Sequence, residues 1–472
     1  MSSPRIVCIA LALALAGLVP AGCGPSDARP NVIVIMVDTL RADYLGAYGF
    51  DGEVSPNVDA LARESVQFDR CLAQGPWTAP SIASFLTSLH PQNHCVGNGY
   101  GLFCEATDDE FVWSSLSERA VTLAEVFGAA GFDTAAFVGN WVVKSKFGFA
   151  QGFDSYFEPE ASEQHVDNDA ILFERARSWL EQRDASRPFL LYLHLMDVHA
   201  PYRVTHADIA VLRDSPSLGD DREITDEEQS KRPGHLGLRI EWSSGAAQRS
   251  LRNWRTAYAA GVRGFDRGLG GFLDYLRARG LLDDSIVVLT SDHGEEFLEH
   301  GEWEHGKTYY NEALRVPLLI RMPDLSLGGR RVDAVVSLID VMPTLIGLVG
   351  IDVERGTMAG TDLGRLWSGG QLPAAASFAS ALPQETASLA VQDRRWKLIL
   401  DLETGSHRLF DLDHDPGELR DRSADESEQV ARMKQRVEEH LETLERFPSF
   451  RPTPTPLSDE DIERLRSLGY LR

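Results

Sequence analysis

The sequence predicts an α/β fold, a sandwich around a mostly parallel central sheet, with a small C-terminal α+β subdomain. Short continuous apolar runs, such as those within Pro30–Val37 and Ser285–Thr290, fit strands covered on both faces. Segments with helical spacing of apolar residues alternate with them, the order that a parallel sheet with crossover helices requires. After about residue 374 this alternation gives way to closely spaced strands and one helix.

The first residues read as an export signal. One positive charge at Arg5 precedes the apolar run Ile6–Val19, which Pro20 breaks before it reaches membrane-spanning length. Val19-Pro-Ala-Gly-Cys23 places small residues ahead of a cysteine, as in a bacterial lipoprotein cleavage site, so residues 1–23 are expected to be a lipoprotein signal with lipid on Cys23. The mature protein is then a cell-envelope lipoprotein, in the periplasm or at the outer membrane. Cutting at an ordinary secretory site nearby is the alternative. Of the five cysteines, Cys71, Cys95 and Cys104 remain; Cys95 and Cys104 flank a Gly-rich loop and either form one disulfide or stay as thiols.

The 472 residues suffice for one large domain and a smaller one, and the net charge of −25 argues against a nucleic-acid partner. Residues 24–373 form the expected main domain. Its strands begin with Pro30–Val37, which ends in Asp38, and continue with Thr134–Val138 after a helix Leu123–Ala130 closed by Gly131. Phe189–Leu195 follows a helix Ala170–Glu181; Ser285–Thr290 follows a long helix Trp254–Arg279; Val316–Ile320 adds another strand. The polar stretch Arg203–Gly245 lacks periodicity and reads as a lid or substrate-shaping loop. In residues 374–446, Trp396–Leu400 and His407–Leu412 form a hairpin and Glu426–Arg446 a packed helix. Residues 447–472 are a Pro-rich tail with a short helix opened by Ser458–Asp461 and stopped by Gly469.

The chemistry is expected around Gly75–Pro91, a turn launching a helix, with Thr78 at the N-cap and Pro80 in the first turn. Helix starts offer free N–H groups and partial positive charge, which favour an ionised hydroxyl and a docked anion. An ordinary capping threonine is the competing reading. Ligands of open α/β sheets gather at the C-terminal ends of strands. Asp38 ends one strand, and Asp292-His293-Gly294-Glu295 ends another. Asp38, Thr78, Asp292 and His293 together form a candidate site for one divalent cation, which would lower the pKa of the Thr78 hydroxyl and make it a nucleophile. His199, after Phe189–Leu195, is the candidate proton donor to the leaving group, and Lys307 the candidate cation for an anionic oxygen. His300 and His305 read as ordinary hydrogen-bonded imidazoles.

Asn31–Asp38, Leu86–Pro91, Leu195–Tyr202, Leu289–Glu295, Glu299–Lys307 and Leu314–Leu319, in this order, resemble a sulfatase of the alkaline phosphatase superfamily, and Phe410–Glu418 is similar to the family's C-terminal signature. The resemblance runs from about Pro30 to Arg420. It implies a sulfatase-like sandwich, a C-terminal subdomain and metal-dependent cleavage of sulfate or phosphate esters. The departures from the family pattern concern the nucleophile. Usual sulfatases carry Cys-x-Pro-Ser-Arg and convert the Cys or Ser to formylglycine; here stand Thr78-Ala-Pro80-Ser81-Ile82, and Thr39 replaces the second Asp of an Asp-Asp pair. Threonine with an Asp-His pair is similar to single-metal phosphoglycerol and phosphoethanolamine transferases and to phosphodiesterases. The expectation is therefore a hydrolase of a small-molecule, glycan or lipid ester, using one metal ion. Manganese or zinc suits imidazole with carboxylates better than calcium or magnesium. The alternatives are a headgroup transferase and an inactive fold that binds anionic glycans.

Overall fold

Eight strands make the central sheet: β1 (Asn31–Val37), β2 (Ser65–Leu72), β3 (Asp133–Val138), β4 (Ser155–Phe157), β5 (Phe189–Leu195), β6 (Ser285–Ser291), β7 (Arg315–Arg321) and β8 (Arg331–Ser337). Their order is β8-β2-β7-β6-β1-β5-β3-β4. The computed structural model describes residues 29–97, 112–158, 168–202, 204–231, 249–353, 355–367, 370, 372, 376–380, 388–450 and 453–467. Among the described strands of this sheet, β7 alone runs against its neighbours, β2 and β6; the other pairings are parallel.

Alternation along β1 divides the molecule into two apolar layers. Val32, Val34 and Met36 face the layer holding the helix Thr78–Thr87, while Ile33, Ile35 and Val37 face the long helix Leu251–Ala278. Every residue of β1, β5 and β6 is buried, which is why continuous apolar runs announced them. The sequence reading did not name β4, which is only three half-buried residues long, nor β2 or β8. The latter two lie at the far side of the sheet, where Asp69 and Arg70 of β2 and the exposed start of β8 dilute the apolar signal.

Two further expectations are corrected. The helix at Thr78 spans Thr78–Thr87, so Trp77 occupies the N-cap and Thr78 is the first helical residue, with no side-chain cap bond. The polar stretch after Arg203 is not simply a loop. Thr205 caps a helix His206–Leu212 through the Asp208 N–H, and a second helix covers Asp226–Lys231; residues 232–248 lie outside the described residues. Cys95 is disulfide-bonded, Cys71 is a buried free thiol, and Cys104 lies outside the described residues.

The strands Ala376–Ala379, Ser388–Asp393, Trp396–Asp401 and His407–Asp411 form a separate antiparallel sheet. The helix Ser427–Leu444 lays Val430, Met433 and Val437 on its Leu389, Val391, Trp396, Leu398 and Leu409. Thr453–Pro456 pairs with Val112–Ser115, and Ser458 and Asp461 cap the helix Asp459–Ser467 reciprocally.

A buried ion pair inside this subdomain meets the main domain at Asn311. Lys397 Nζ lies 2.8 Å from Glu418 Oε1, both side chains being essentially inaccessible, and the Asn311 N–H donates to Glu418 Oε2. Burial pushes the Glu418 carboxyl up, and Lys397 only partly holds it down. Removing one partner of such a pair leaves an uncompensated buried charge. Lys397→Met is expected to cost about 3–5 kcal/mol of stability, read from the urea midpoint. Lys397→Met combined with Glu418→Gln should recover much of that loss.

Candidate active site

The strands β6, β1, β5 and β3 are adjacent and parallel, so their C-terminal ends share one edge of the sheet. Asp38 directly follows β1, and its N–H donates to Leu195 O at 2.9 Å. Asp292 and His293 follow β6. His194 lies near the end of β5, in register with Met36 and Val138, and Asn140 stands two residues beyond β3. After His293 the chain turns so tightly that a Cβ on Gly294 would meet Glu312 O at 1.9 Å, which explains the glycine.

Thr78 reaches this edge from the opposite side. The turn before it is locked by Ser81, whose hydroxyl donates to Gly75 O at 2.7 Å and accepts from Gly75 N at 3.2 Å. Thr78 does not cap the helix, and its hydroxyl faces His293, with Oγ1 3.2 Å from Nε2. The His293 Nδ1–H donates to Gly294 O at 2.9 Å, since a carbonyl only accepts. Burial lowers the His293 pKa, so the ring is neutral and Nε2 presents a lone pair.

His293 Nε2 also lies 3.6 Å from Asp38 Oδ1 and 3.4 Å from Asp292 Oδ2. Ligand atoms about 2.0–2.1 Å from one tetrahedral cation stand about 3.3 Å apart. His293 Nε2 thus stands near ligand spacing from Thr78, Asp38 and Asp292. Asp38 Oδ1 and Asp292 Oδ2 are buried with no hydrogen-bond partner, whereas the other Asp292 oxygen accepts from the Thr39 and His293 N–H groups. Burial pushes the Asp292 carboxyl far above the usual range, and Asp38 beside it adds to the rise. Burial raises Asp38 too, but His199, His194 and His293 outweigh it and hold that carboxyl well below the usual range. Two buried carboxylates with bare oxygens turned to one point fit a divalent cation.

His194 and Asn140 belong to this set, and sequence reasoning missed both. His194 lies 3.4 Å from Asp38 and 3.9 Å from Asp292, with both ring nitrogens unpartnered; Asp38, His194 and Asp292 form a group able to hold a metal ion. A lone histidine inside the apolar run of β5 was the available signal. Asn140 donates from Nδ2 to Asp38 Oδ2 at 2.6 Å and lies 3.4 Å from Thr78 Oγ1.

A second rank of imidazoles stands beside the first. The His199 Nδ1–H donates to Ala200 O, leaving a buried Nε2 without a partner. The His305 ring sits 4.5 Å from that of His293 and 5.3 Å from that of His199. Its Nδ1 is 2.9 Å from Glu295 Oε1, and Tyr202 donates to Glu295 Oε2. Burial pushes Glu295 up to about 7. Lys307 is turned to its own loop: Nζ donates to Trp303 O at 2.7 Å and lies 3.9 Å from Glu304. The loop itself touches the Thr78 turn through a Gly306 N–H donated to Pro76 O. His300 stays structural, between Glu312 and Glu418 O and stacked on Tyr310.

The sequence model of the family described as Sulfatase matches residues 30–351. The chain belongs to the sulfatase family. A second model, N-sulphoglucosamine sulphohydrolase, C-terminal, matches residues 298–446 of this sulfatase. An N-acetylglucosamine-6-O-sulfatase of Bacteroides thetaiotaomicron is 27% identical over 422 residues, covering 73% of the chain and 72% of the relative. Among solved structures, a phosphonate monoester hydrolase from Silicibacter pomeroyi superposes with a TM-score of 0.69 at 20% identity, covering 87% of this chain and 95% of that one. A 2-O GAG sulfatase superposes at 0.68 and 21% identity, covering 92% and 99%. The sandwich of these sulfatase and phosphonate monoester hydrolase structures is therefore the fold of this sulfatase, and the protein is an ester hydrolase of the sulfatase family.

Proposed function

We propose that this sulfatase cleaves sulfate or phosphate esters through a covalent ester on Thr78. The observation that carries the reading is the Thr78 hydroxyl, released from capping and aimed at His293 beside two bare carboxylate oxygens. Asp38, Thr78, Asp292 and His293 would hold one divalent cation, with His194 alongside; manganese or zinc fits this donor set best. Such a cation lowers the pKa of a ligated hydroxyl and neutralises charge building on the transferred group.

The remaining roles fall to the chain's own side chains. Thr78 Oγ1 attacks the sulfur or phosphorus. The Thr78 proton is lost to solvent, and a protonated His199 gives its Nε2 proton to the departing ester oxygen. Lys307 reaches an anionic oxygen only by releasing Trp303 O, so it is recruited when substrate is bound. Water then cleaves the Thr78 ester and frees the enzyme. The resemblance to an N-acetylglucosamine-6-O-sulfatase favours a sulfated sugar as substrate. A screen of matched sulfate and phosphate mono- and diesters, in water and with glycerol as acceptor, tests this. Sulfate release from a sulfated sugar is the expected result; transfer to glycerol in preference to water would make the protein a transferase.

We also propose that the protein is exported and held at the membrane by lipid on Cys23, which lies outside the described residues. Loss of the lipid mass in a Cys23→Ser variant is the expected result. An unmodified mature N-terminus in the native protein would exclude anchoring.

A further inference from the structure

Asn140 is buried and its amide is oriented without ambiguity. It is the N-cap of the short turn Trp141–Val143, and its Oδ1 accepts from the Val142 N–H at 2.9 Å. The oxygen is therefore committed to the backbone, and both hydrogens of Nδ2 face the site. One goes to Asp38 Oδ2 at 2.6 Å. The other is directed to Thr78 Oγ1 at 3.4 Å, longer than the usual 2.9–3.0 Å of an amide hydrogen bond. Gly139 sets this approach. Its N–H donates to His194 O at 2.9 Å, and a Cβ there would meet Met196 Cγ at 2.6 Å.

A donor that is slack toward a neutral hydroxyl gains strength when that oxygen becomes charged, because charge-assisted hydrogen bonds are shorter and about twice as strong. We propose that Asn140 is a catalytic residue of this site, holding its second amide N–H for the charge that develops on Thr78 Oγ1 during attack. The proposal rests on the reading of Thr78 as the attacking group. In the step, the bond from Thr78 Oγ1 to sulfur or phosphorus forms and the bond from that atom to the ester oxygen breaks. The Thr78 proton goes to solvent, and the departing oxygen takes a proton from His199 Nε2. Asn140 keeps both amide protons throughout. Its first N–H holds Asp38 Oδ2, which leaves Oδ1 of the same carboxylate turned to the cation position.

The competing role is orientation of Asp38 alone, and two variants separate the two. Asn140→Asp keeps the oxygen that accepts from Val142 and adds a carboxylate near the cation position, but it removes the donor. Cation content is expected to equal or exceed that of wild type, while kcat falls about 10²–10³-fold with KM within a few-fold, on whichever ester the wild type turns over. Asn140→Ala should show the same fall in kcat at saturating manganese or zinc. Recovery of wild-type kcat in Asn140→Ala on adding excess metal would reduce Asn140 to a holder of Asp38. Wild-type kcat in Asn140→Asp would overturn the proposal outright. Thr78→Ala, assayed in parallel, separates the two readings: an inactive Thr78→Ala with a fully active Asn140→Asp overturns Asn140 alone, whereas an active Thr78→Ala overturns both.

Discussion

Thr78→Ala is expected to abolish turnover and to leave the fold intact. The substitution removes the hydroxyl and one γ-methyl, and losing the buried methyl costs only on the order of 1 kcal/mol. The hydroxyl caps no helix, so the 0.5–2 kcal/mol that an N-cap replacement costs does not apply, and alanine favours a first-turn helical position. The urea midpoint should accordingly stay near that of wild type. The catalytic loss should be far larger than that from an electrostatic helper, which costs about 2.7–4 kcal/mol of barrier; losing a nucleophile in a comparable covalent enzyme removes about 10⁶-fold in kcat. Thr78→Ser retains the hydroxyl and should retain partial activity. Intact mass of the wild type, quenched during turnover, should show the added sulfuryl or phosphoryl group, and Thr78→Ala should not. Turnover near the wild-type rate in Thr78→Ala would leave water as the attacking group.

The second large effect concerns the cation. Asp292→Asn should abolish metal-dependent stabilisation while leaving the metal-free protein as stable as wild type or more so. The side-chain oxygen of asparagine can still accept from the Thr39 and His293 N–H groups, as Asp292 Oδ1 does. The amide nitrogen would then replace Oδ2, the unpartnered oxygen turned toward Asp38 and His293. It presents hydrogens where a cation needs a lone pair. In the absence of metal this exchange costs little, since burial and Asp38 already favour the uncharged form of Asp292. A ligand at 100 times its Kd stabilises the folded state by about 2.7 kcal/mol. Wild type should show a rise of that order in added manganese or zinc, and Asp292→Asn should show none. Equal metal content and equal stabilisation in the two proteins would displace the site from Asp292.

Several parts of this centre were legible before any coordinates. Asp38 and Asp292-His293 are the first polar residues after wholly buried strands, and a parallel sheet delivers such residues to one edge. The start of the Thr78–Thr87 helix was equally plain from Pro80 and its apolar face. The hydroxyl's task was not, because whether a threonine caps a helix depends on a single residue of register. The place of His305 beside His199 was not legible for a related reason: the two are distant in sequence and meet only when the loop after β6 folds back across the strand ends.

The sequence by itself determined the buried strands, their carboxylate ends and the helix that brings Thr78. These follow from local composition and from the periodicity that burial imposes. The tertiary structure alone decided that His194 and Asn140 complete the centre, that β7 runs antiparallel, and that Lys307 rests on Trp303 O. His194 and Asn140 come from strands on the other side of β1, and strand register brings them to Asp38. Contacts between strands depend on the order in which the strands pair, and no local stretch of sequence encodes that order.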